Sequence, residues 1–325
     1  YGSALPSIAE NLPTKTGYNF GGYFTEPNGN GTQYYYGTGN GARNWDIASE
    51  TTLYAQWTAN TYTVSFDQNG GTGGQTSSVT ATYGSAMPAI SAVPTRTGYT
   101  FTGYYDAKSG GTKYYNADKS SARTWNKTAN TTLYAQWSAK TYTVTYSCGD
   151  GSGTAPSNGS ATYDSSFTPA SNSCSRTGYT FAGWTVSGTS DVKSSAFTWK
   201  YTENKTFTAK WTACTYTVTY DANGGTGTTA SSTHTYDSSK ALTSNGFTRS
   251  GYVFLGWSTN KSATSASYTN GASVKNLTAT CGGTVTLYAI WKQCTAGYYC
   301  PGNNTEVKCV AGSYSSAGAS SCTAC

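Results

Sequence analysis

A nine-residue stretch occurs four times in this chain and sets the period of everything around it. The four copies read TGYNFGGYF (residues 16–24), TGYTFTGYY (97–105), TGYTFAGWT (177–185) and SGYVFLGWS (250–258). Each is followed by a closing pentad that ends in tryptophan, and these tryptophans are spaced by 80, 74 and 80 residues. They are Trp57, Trp137, Trp211 and Trp291. Such a period indicates repeated structural units, which constrains the fold more than any other feature.

The alternation within the stretch predicts a half-buried strand. Tyr99 and Phe101 fall on one face, and the intervening threonines fall on the other. A glycine recurs two places after the phenylalanine, as at Gly103, and predicts a bulge or a close backbone approach. We interpret the recurring large residues as the repeat core. They are the four closing tryptophans together with Phe20, Phe101, Phe181 and Phe254.

A complete unit can be followed from residue 61. An alternating strand (TYTVSF, 61–66) leads into an Asn-Gly-Gly turn at 69–71, where residues with positive φ are needed. A second strand, a proline-punctuated connection, the nine-residue stretch, a polar excursion and the closing pentad follow. Residues 1–6 (YGSALP) match residues 83–88 (YGSAMP), so the first copy is expected to lack its opening hairpin strand.

These patterns predict a mainly β protein of small units with little helix, arranged as beads on a string. The predicted boundaries are repeat 1 at 1–58 (incomplete), repeat 2 at 59–138, repeat 3 at 139–212, repeat 4 at 213–292, and a cysteine-rich tail at 293–325. Only three or four residues connect one closing tryptophan to the next opening strand. Such short linkers favour a semi-rigid rod.

Composition excludes several classes of function. Charged residues make up 10% of the chain, against about 25% in a typical soluble domain. The net charge of +6 is spread along the sequence without a basic cluster, which argues against nucleic-acid binding. No apolar run approaches the roughly 18 residues of a membrane span. We expect a folded, polar-surfaced β protein.

The nine cysteines are concentrated towards the carboxyl end, as in a disulfide framework formed in an oxidising compartment. Cys148 and Cys174 are solitary additions to repeat 3, so we pair them. Cys214 and Cys281 would be neighbours if the first and last strands of a unit run parallel. In the tail we favour Cys309 with Cys322. The odd count leaves Cys325 as a possible intermolecular thiol, and the spacing does not suit zinc.

The combination of TYTVTYDANGGTG (215–227), RTGYTFTGYYDAKSGG (96–111), a tryptophan in the excursion and TTLYAQW (131–137) resembles the Listeria–Bacteroides repeat, the B-repeat of internalin-type surface proteins. This resemblance implies a β-grasp-like unit, crossed by a short helical or irregular segment, in a surface-anchored or secreted bacterial protein. The resemblance implies no catalytic residues. The tail, with its AGxY and cysteine pattern, resembles modules of ephrin-receptor and tumour-necrosis-factor-receptor type.

The residues offer little for catalysis or for a cofactor, and we expect neither. The single histidine, His234, lies in a predicted strand, and no nucleophile elbow, phosphate loop or metal motif occurs. The first hypothesis is therefore a structural spacer or fibre subunit that associates with its own kind, polymerising by strand donation into repeat 1. The alternative is an adhesin that binds glycans or host surface proteins. Its candidate ligand-facing aromatics are Tyr34, Tyr35, Tyr36, Tyr114 and Tyr115.

Overall fold

The computed structural model describes the whole chain, Tyr1–Cys325, and consists almost entirely of strands and turns. The mainly β prediction, with repeated units in tandem, is confirmed. The helical elements are two single 3-10 turns in the first repeat, Ala9–Asn11 and Pro27–Gly29. The short helix that the resemblance allowed is absent from the connection in repeats 2 to 4, where residues are extended or in bends. Neither helical turn has the length or apolar character that a membrane crossing requires.

The second repeat shows the complete sheet. Its strands, in chain order, are the opening strand Thr61–Asp67, the return strand Val79–Thr82, the signature strand Tyr99–Tyr105, the flanking strand Lys113–Asn116 and the closing strand Thr131–Ala139. In space the order is return, opening, closing, signature, flanking. The opening and closing strands pair in parallel, and all other neighbours are antiparallel.

The third repeat builds the same five-stranded sheet, and the fourth builds it without the flanking strand. In the third, the same five strands are Thr141–Ser147, Gly159–Thr162, Tyr179–Val186, Val192–Lys193 and Lys205–Ala213. In the fourth, the opening, return, signature and closing strands are Thr215–Asp221, Ser232–Thr235, Tyr252–Ser258 and Thr284–Gln293. Two-residue ladders flank these sheets: Thr72–Gly73 with Pro94–Thr95, Ser166–Phe167 with Phe197–Thr198, Thr226–Gly227 with Phe247–Thr248, and Lys240–Ala241 with Ser273–Val274.

The first repeat has only three strands. The signature strand Tyr18–Phe24 lies between the flanking strand Gln33–Tyr36 and the closing strand Tyr54–Ala59. The tail contains two small hairpins, Tyr298–Tyr299 with Val307–Lys308 and Ser313–Tyr314 with Thr323–Ala324.

The signature glycine forms the predicted bulge. In the second repeat the register slips between Trp137 and Gln136, opposite Phe101 and Gly103. Gly103 has φ +141°, and a Cβ there would lie 2.3 Å from the Tyr115 carbonyl oxygen. Only glycine fits so close an approach without strain.

Each complete repeat encloses an aromatic core. In the second repeat Val64, Tyr104, Trp125 and Leu133 are fully buried, and Phe66 packs against them. In the fourth, the corresponding set includes Val218, Trp257 and Leu287. At about 25 cal/mol per Å² of apolar surface removed from water, these clusters are the main source of each repeat's stability.

The chain divides into two compact units. The first comprises residues 1–142, 161–166 and 198–203. The second comprises residues 143–160, 167–197 and 204–325. The finer division into four repeats and a tail remains a prediction from the sequence.

Candidate functional sites

Consecutive repeats meet at three connections, which we call joints. At each joint a glycine of one repeat is covered by a tyrosine of the next. In the first joint, a Cβ added to Gly17 would lie 2.3 Å from the ring of Tyr83. Gly98 and Tyr163 have the same separation, and Gly178 and Tyr236 are 2.4 Å apart on this measure. These glycines have φ between +75° and +79°, which already disfavours a side chain. The three joints therefore share one interlocking contact.

Backbone hydrogen bonds continue through each joint. In the second joint, the Lys140 N–H donates to the Gly98 carbonyl at 2.9 Å, and the Tyr163 N–H donates to the Lys140 carbonyl at 2.9 Å. The equivalent bonds run from Asn60 to Gly17, from Tyr83 to Asn60, from Cys214 to Gly178 and from Tyr236 to Cys214. The linker residue is thus bonded on both sides, which explains how so short a connection is held.

An aspartate adds a side-chain hydrogen bond to the second and third joints. The Tyr99 hydroxyl donates to Asp164 at 2.7 Å, and the Tyr179 hydroxyl donates to Asp237 at 2.9 Å. The hydrogen bond from Lys200, followed by that from Tyr99, lowers the pKa of Asp164. At the first joint, Gly84 stands in place of the aspartate, so that joint has the ring contact without the carboxylate.

The tail covers the corresponding glycine of the fourth repeat. A Cβ on Gly251 would lie 2.2 Å from the Gly318 carbonyl oxygen. The Gly251 N–H donates to the Cys300 carbonyl at 3.2 Å, and Cys294 N–H donates back to Gly251 at 2.9 Å. A different structure therefore occupies the place that tyrosine takes at the other joints.

The predicted ligand-facing tyrosines are mostly internal, and that prediction is wrong for four of the five. Tyr34, Tyr35, Tyr114 and Tyr115 are buried, and only Tyr36 is half exposed. Both faces of the flanking strand are covered. Tyr114 packs on Trp125 with ring centroids 5.2 Å apart, and the Tyr115 hydroxyl donates to the Pro88 carbonyl at 2.8 Å.

Comparison with known proteins finds one family model that matches the chain four times. A family model described as the Listeria-Bacteroides repeat domain matches residues 1–56, 62–136, 142–210 and 216–290. The chain belongs to the Listeria-Bacteroides repeat family. The four matched segments follow the four copies of the signature stretch.

Relatives with similar sequence include two proteins named as membrane proteins and one internalin. One, from Evansella cellulosilytica and named as a membrane protein, is 31% identical over 264 residues, covering 76% of this chain and 36% of the relative. A second from that organism, named as a Gly-rich membrane protein, is 32% identical over 287 residues, covering 86% and 29%. Internalin H of Listeria monocytogenes is 41% identical over 126 residues, covering 38% and 20%. This chain therefore spans about a third or less of their lengths.

The closing tryptophans of the Listeria-Bacteroides repeats lie at the rim of each core and are partly buried. In the second repeat, the Trp137 indole N–H donates to the Asn69 carbonyl at 3.0 Å, and its ring lies against Gly71. The repeat-core phenylalanines pack beside them: Phe101 is buried, whereas Phe20, Phe181 and Phe254 are partly buried. The fully buried tryptophans are instead Trp125, Trp184, Trp199 and Trp257.

Four disulfides are present in the Listeria-Bacteroides chain. The structure forms Cys148–Cys174, Cys214–Cys281 and Cys309–Cys322, as paired from the sequence, with Cys325 an exposed free thiol. The fourth bond, Cys294–Cys300, was not assigned from the sequence. The six-residue separation of the two cysteines at the start of the tail was the available signal.

The single histidine of these Listeria-Bacteroides repeats is enclosed by neighbouring side chains. His234 is buried beside Tyr216, and its Nε2 lies 2.9 Å from the Ser232 hydroxyl. Burial, followed by the charge of Lys240, lowers the pKa of His234. No group of three or more His, Cys, Asp or Glu side chains converges as a metal site would require.

Proposed function

We propose that this chain is an extracellular spacer of a bacterial surface or secreted protein, built from joined Listeria-Bacteroides repeats. The observation that carries the proposal is the recurrent joint, in which a glycine, a tyrosine ring and two backbone hydrogen bonds repeat from copy to copy. A joint of this kind restricts movement between neighbouring repeats within each compact unit. Four disulfides support an oxidising compartment.

The proposal includes the absence of catalysis. The aspartates at the turns act locally: Asp67 accepts from the Asn69 N–H at 2.7 Å, and Asp221 accepts from Asn223 at the same distance. Asp164 and Asp237 are engaged at joints. These engagements, with a buried histidine, support a structural role for the polar side chains.

Finer features of the proposal concern the unit and its partners. The mixed sheet with a central parallel pair supports the β-grasp-like description. We also propose that the tail is a receptor-type cysteine-rich module and that Cys325, an exposed free thiol, pairs with a cysteine outside residues 1–325. The glycan-binding alternative receives little support from its candidate aromatics, because only Tyr36 of the five tyrosines is substantially exposed.

The spacer proposal is tested by removing one whole period. Deleting residues 61–140 joins Asn60 to Thr141, so Tyr163 takes the place of Tyr83 against Gly17. A spacer should lose roughly 30 Å of its largest dimension, the size of a compact domain of this length, in small-angle scattering. Protease shaving of intact cells of the source bacterium should release the chain. An unchanged largest dimension would contradict the spacer role.

A further inference from the structure

In the second, third and fourth repeats an arginine lies over the ring of the first tyrosine of the signature strand. The guanidinium carbon is between 3.8 and 4.1 Å from the ring centroid in all three copies. A guanidinium above an aromatic ring is attracted by the ring's π electrons, which fixes the position of the arginine. The pairs are Arg96 with Tyr99, Arg176 with Tyr179, and Arg249 with Tyr252.

The third repeat supplies its arginine with a carboxylate from the same repeat. Asp150 Oδ2 lies 3.0 Å from Arg176 Nη1. The second and fourth repeats have glycine at the position of Asp150, and their arginines, Arg96 and Arg249, form no ion pair. The occupied copy shows that a carboxylate is the group that this arginine accepts.

A lysine accompanies the arginine in the two repeats that lack the aspartate. Lys108 and Lys261 take equivalent positions in the second and fourth repeats, where the third repeat has Gly188. The side-chain amide of Asn69 donates to the Lys108 carbonyl at 2.8 Å. The amide of Asn223 donates to the Lys261 carbonyl at 3.0 Å. The Asn-Gly turn therefore holds the backbone of each lysine, and the lysine side chains remain exposed.

In the second repeat these two positive charges line one cavity. Arg96 and Lys108 border a space of about 180 Å³, together with Tyr99, Gln136 and Trp137. Sites for drug-sized ligands measure roughly 300–1,000 Å³, so this cavity suits a single unit of a longer molecule. Its lining combines two cations, aromatic rings and an amide, and contains no aliphatic side chain.

One carboxylate of the protein lies near Arg96, and other groups already bind it. Asp164 borders a separate cavity beside Arg96 and does not line the first one. It accepts hydrogen bonds from the Tyr99 hydroxyl at 2.7 Å and from Lys200. The charge of Asp164 is therefore balanced by Lys200, which leaves Arg96 and Lys108 available to a ligand.

We propose that the second and fourth repeats each bind a carboxylate-bearing sugar unit of an acidic polysaccharide. The arginine pairs with the sugar carboxylate, as Arg176 pairs with Asp150, and the lysine adds a second positive charge. The closing tryptophan contacts the sugar ring. This inference goes beyond the spacer role and does not depend on it.

The lining of the cavity favours a sugar over an acidic peptide, which would offer the same carboxylate. A sugar ring has apolar C–H groups that pack on an aromatic ring such as that of Trp137, and hydroxyl groups that bond to polar neighbours such as Gln136 and Ser109. A peptide would also need apolar contacts for its neighbouring side chains, and the lining has no aliphatic residue to provide them.

The test is an NMR titration of the intact chain with short oligomers of galacturonate, with the methyl-esterified oligomer as the matched neutral control. Three closing tryptophans donate their indole N–H to a backbone carbonyl at 2.9–3.1 Å and report on three repeats in one spectrum. The indole resonances of Trp137 and Trp291 should shift. That of Trp211 should not, because Asp150 already occupies the arginine of its repeat. The neutral ester should shift none of them, and added salt should weaken galacturonate binding.

Two substitutions at exposed positions assign the sites to their repeats. Lys108→Gln should weaken the binding followed at Trp137 by roughly threefold to tenfold, as expected for one hydrogen bond to a charged group in a partly wet site. The binding followed at Trp291 should stay unchanged in that variant. Lys261→Gln should have the reverse effect on the two tryptophans.

Several results would overturn the proposal. These are no shift up to millimolar galacturonate, equal shifts at all three tryptophans, equal binding of the neutral ester, or unchanged binding in both lysine variants. Equal or tighter binding of polyglutamate at Trp137 and Trp291 would assign the sites to an acidic peptide instead. The deletion experiment measures length without any ligand, so failure here is distinct from failure of the spacer proposal.

Discussion

Replacing Gly98 by alanine tests whether the glycine–tyrosine contact holds a joint. Gly98 has φ +77°, and a non-glycine residue in the left-handed region costs about 1–2 kcal/mol. The new Cβ would lie 2.3 Å from the Tyr163 ring, which must move away to restore a contact of about 3.5–4 Å. That movement disrupts the edge contact of Tyr163 with Tyr99, whose centroids are 5.6 Å apart. Such pairs contribute about 0.5–1.5 kcal/mol.

The two effects together predict a loss of about 1.5–3.5 kcal/mol in the free energy of local opening at this joint. Amide hydrogen exchange measures that quantity residue by residue. The Lys140 and Tyr163 amides, which bond across the joint, should exchange roughly 10- to 400-fold faster in Gly98→Ala.

Two controls separate strain from contact. Gly73 has φ +69° with open space around it, so Gly73→Ala should carry the backbone cost without changing exchange at Lys140 or Tyr163. In a Tyr163→Ala background, Gly98→Ala should cost only about 1–2 kcal/mol, because no ring remains to be displaced. Unchanged exchange at Lys140 and Tyr163 in the single Gly98→Ala variant would refute the interlock.

Three further predictions concern bonds and charges. Replacing Cys148 and Cys174 by serine should lower the free energy of unfolding by about 3–4 kcal/mol, from the 26-residue separation, measured by urea unfolding of the third repeat; a change below 1 kcal/mol would contradict it. The pKa of His234 is lowered by burial, so its stabilising contribution is present above the unfolded value of about 6.5 and is lost as the pH falls through the lower folded value. The melting temperature should therefore drop between pH 7.5 and 5.5, and His234→Gln should remove that drop. Because Lys200 and Tyr99 lower the pKa of Asp164, its carboxyl carbon should titrate below the ordinary range in NMR. Tyr99→Phe should raise that midpoint, and an unchanged midpoint would argue against the hydrogen bond between Tyr99 and Asp164.

The strands could be predicted from local patterns, because strand and turn formation depends on residues that are neighbours in the sequence. The alternation in residues 61–66, the turn at Asn69 and Gly70, and the bulge at Gly103 are all encoded within a few positions. The sequence argument assumed that the first and last strands of a unit pair in parallel, and from this it paired Cys214 with Cys281. The structure shows that pairing between Thr217 and Thr284. Repetition supplied the rest, because four copies show which positions are constant.

Features that depend on distant residues were not accessible in this way. Consecutive residues of a strand point to opposite faces, so the adjacent Tyr114 and Tyr115 lie on opposite sides of the flanking strand. Both are buried because Trp125 covers one ring and the segment around Pro88 covers the other. Likewise, Gly98 and Tyr163 are 65 positions apart in the sequence, and only folding brings them together. The constant glycine and the recurring Tyr-Gly-Ser or Tyr-Asp-Ser were the signal that could have suggested a joint.

The uniform joint also bears on how such a chain changes over generations. Since Gly17, Gly98 and Gly178 each receive the same partner type, recombination between copies can insert or remove a whole period without leaving a mismatched surface. The tail, which covers Gly251 in its own way, would stay attached to whichever copy comes last. Length in a chain of this kind can therefore evolve in whole-module steps, while the glycine–tyrosine contact at each boundary is kept.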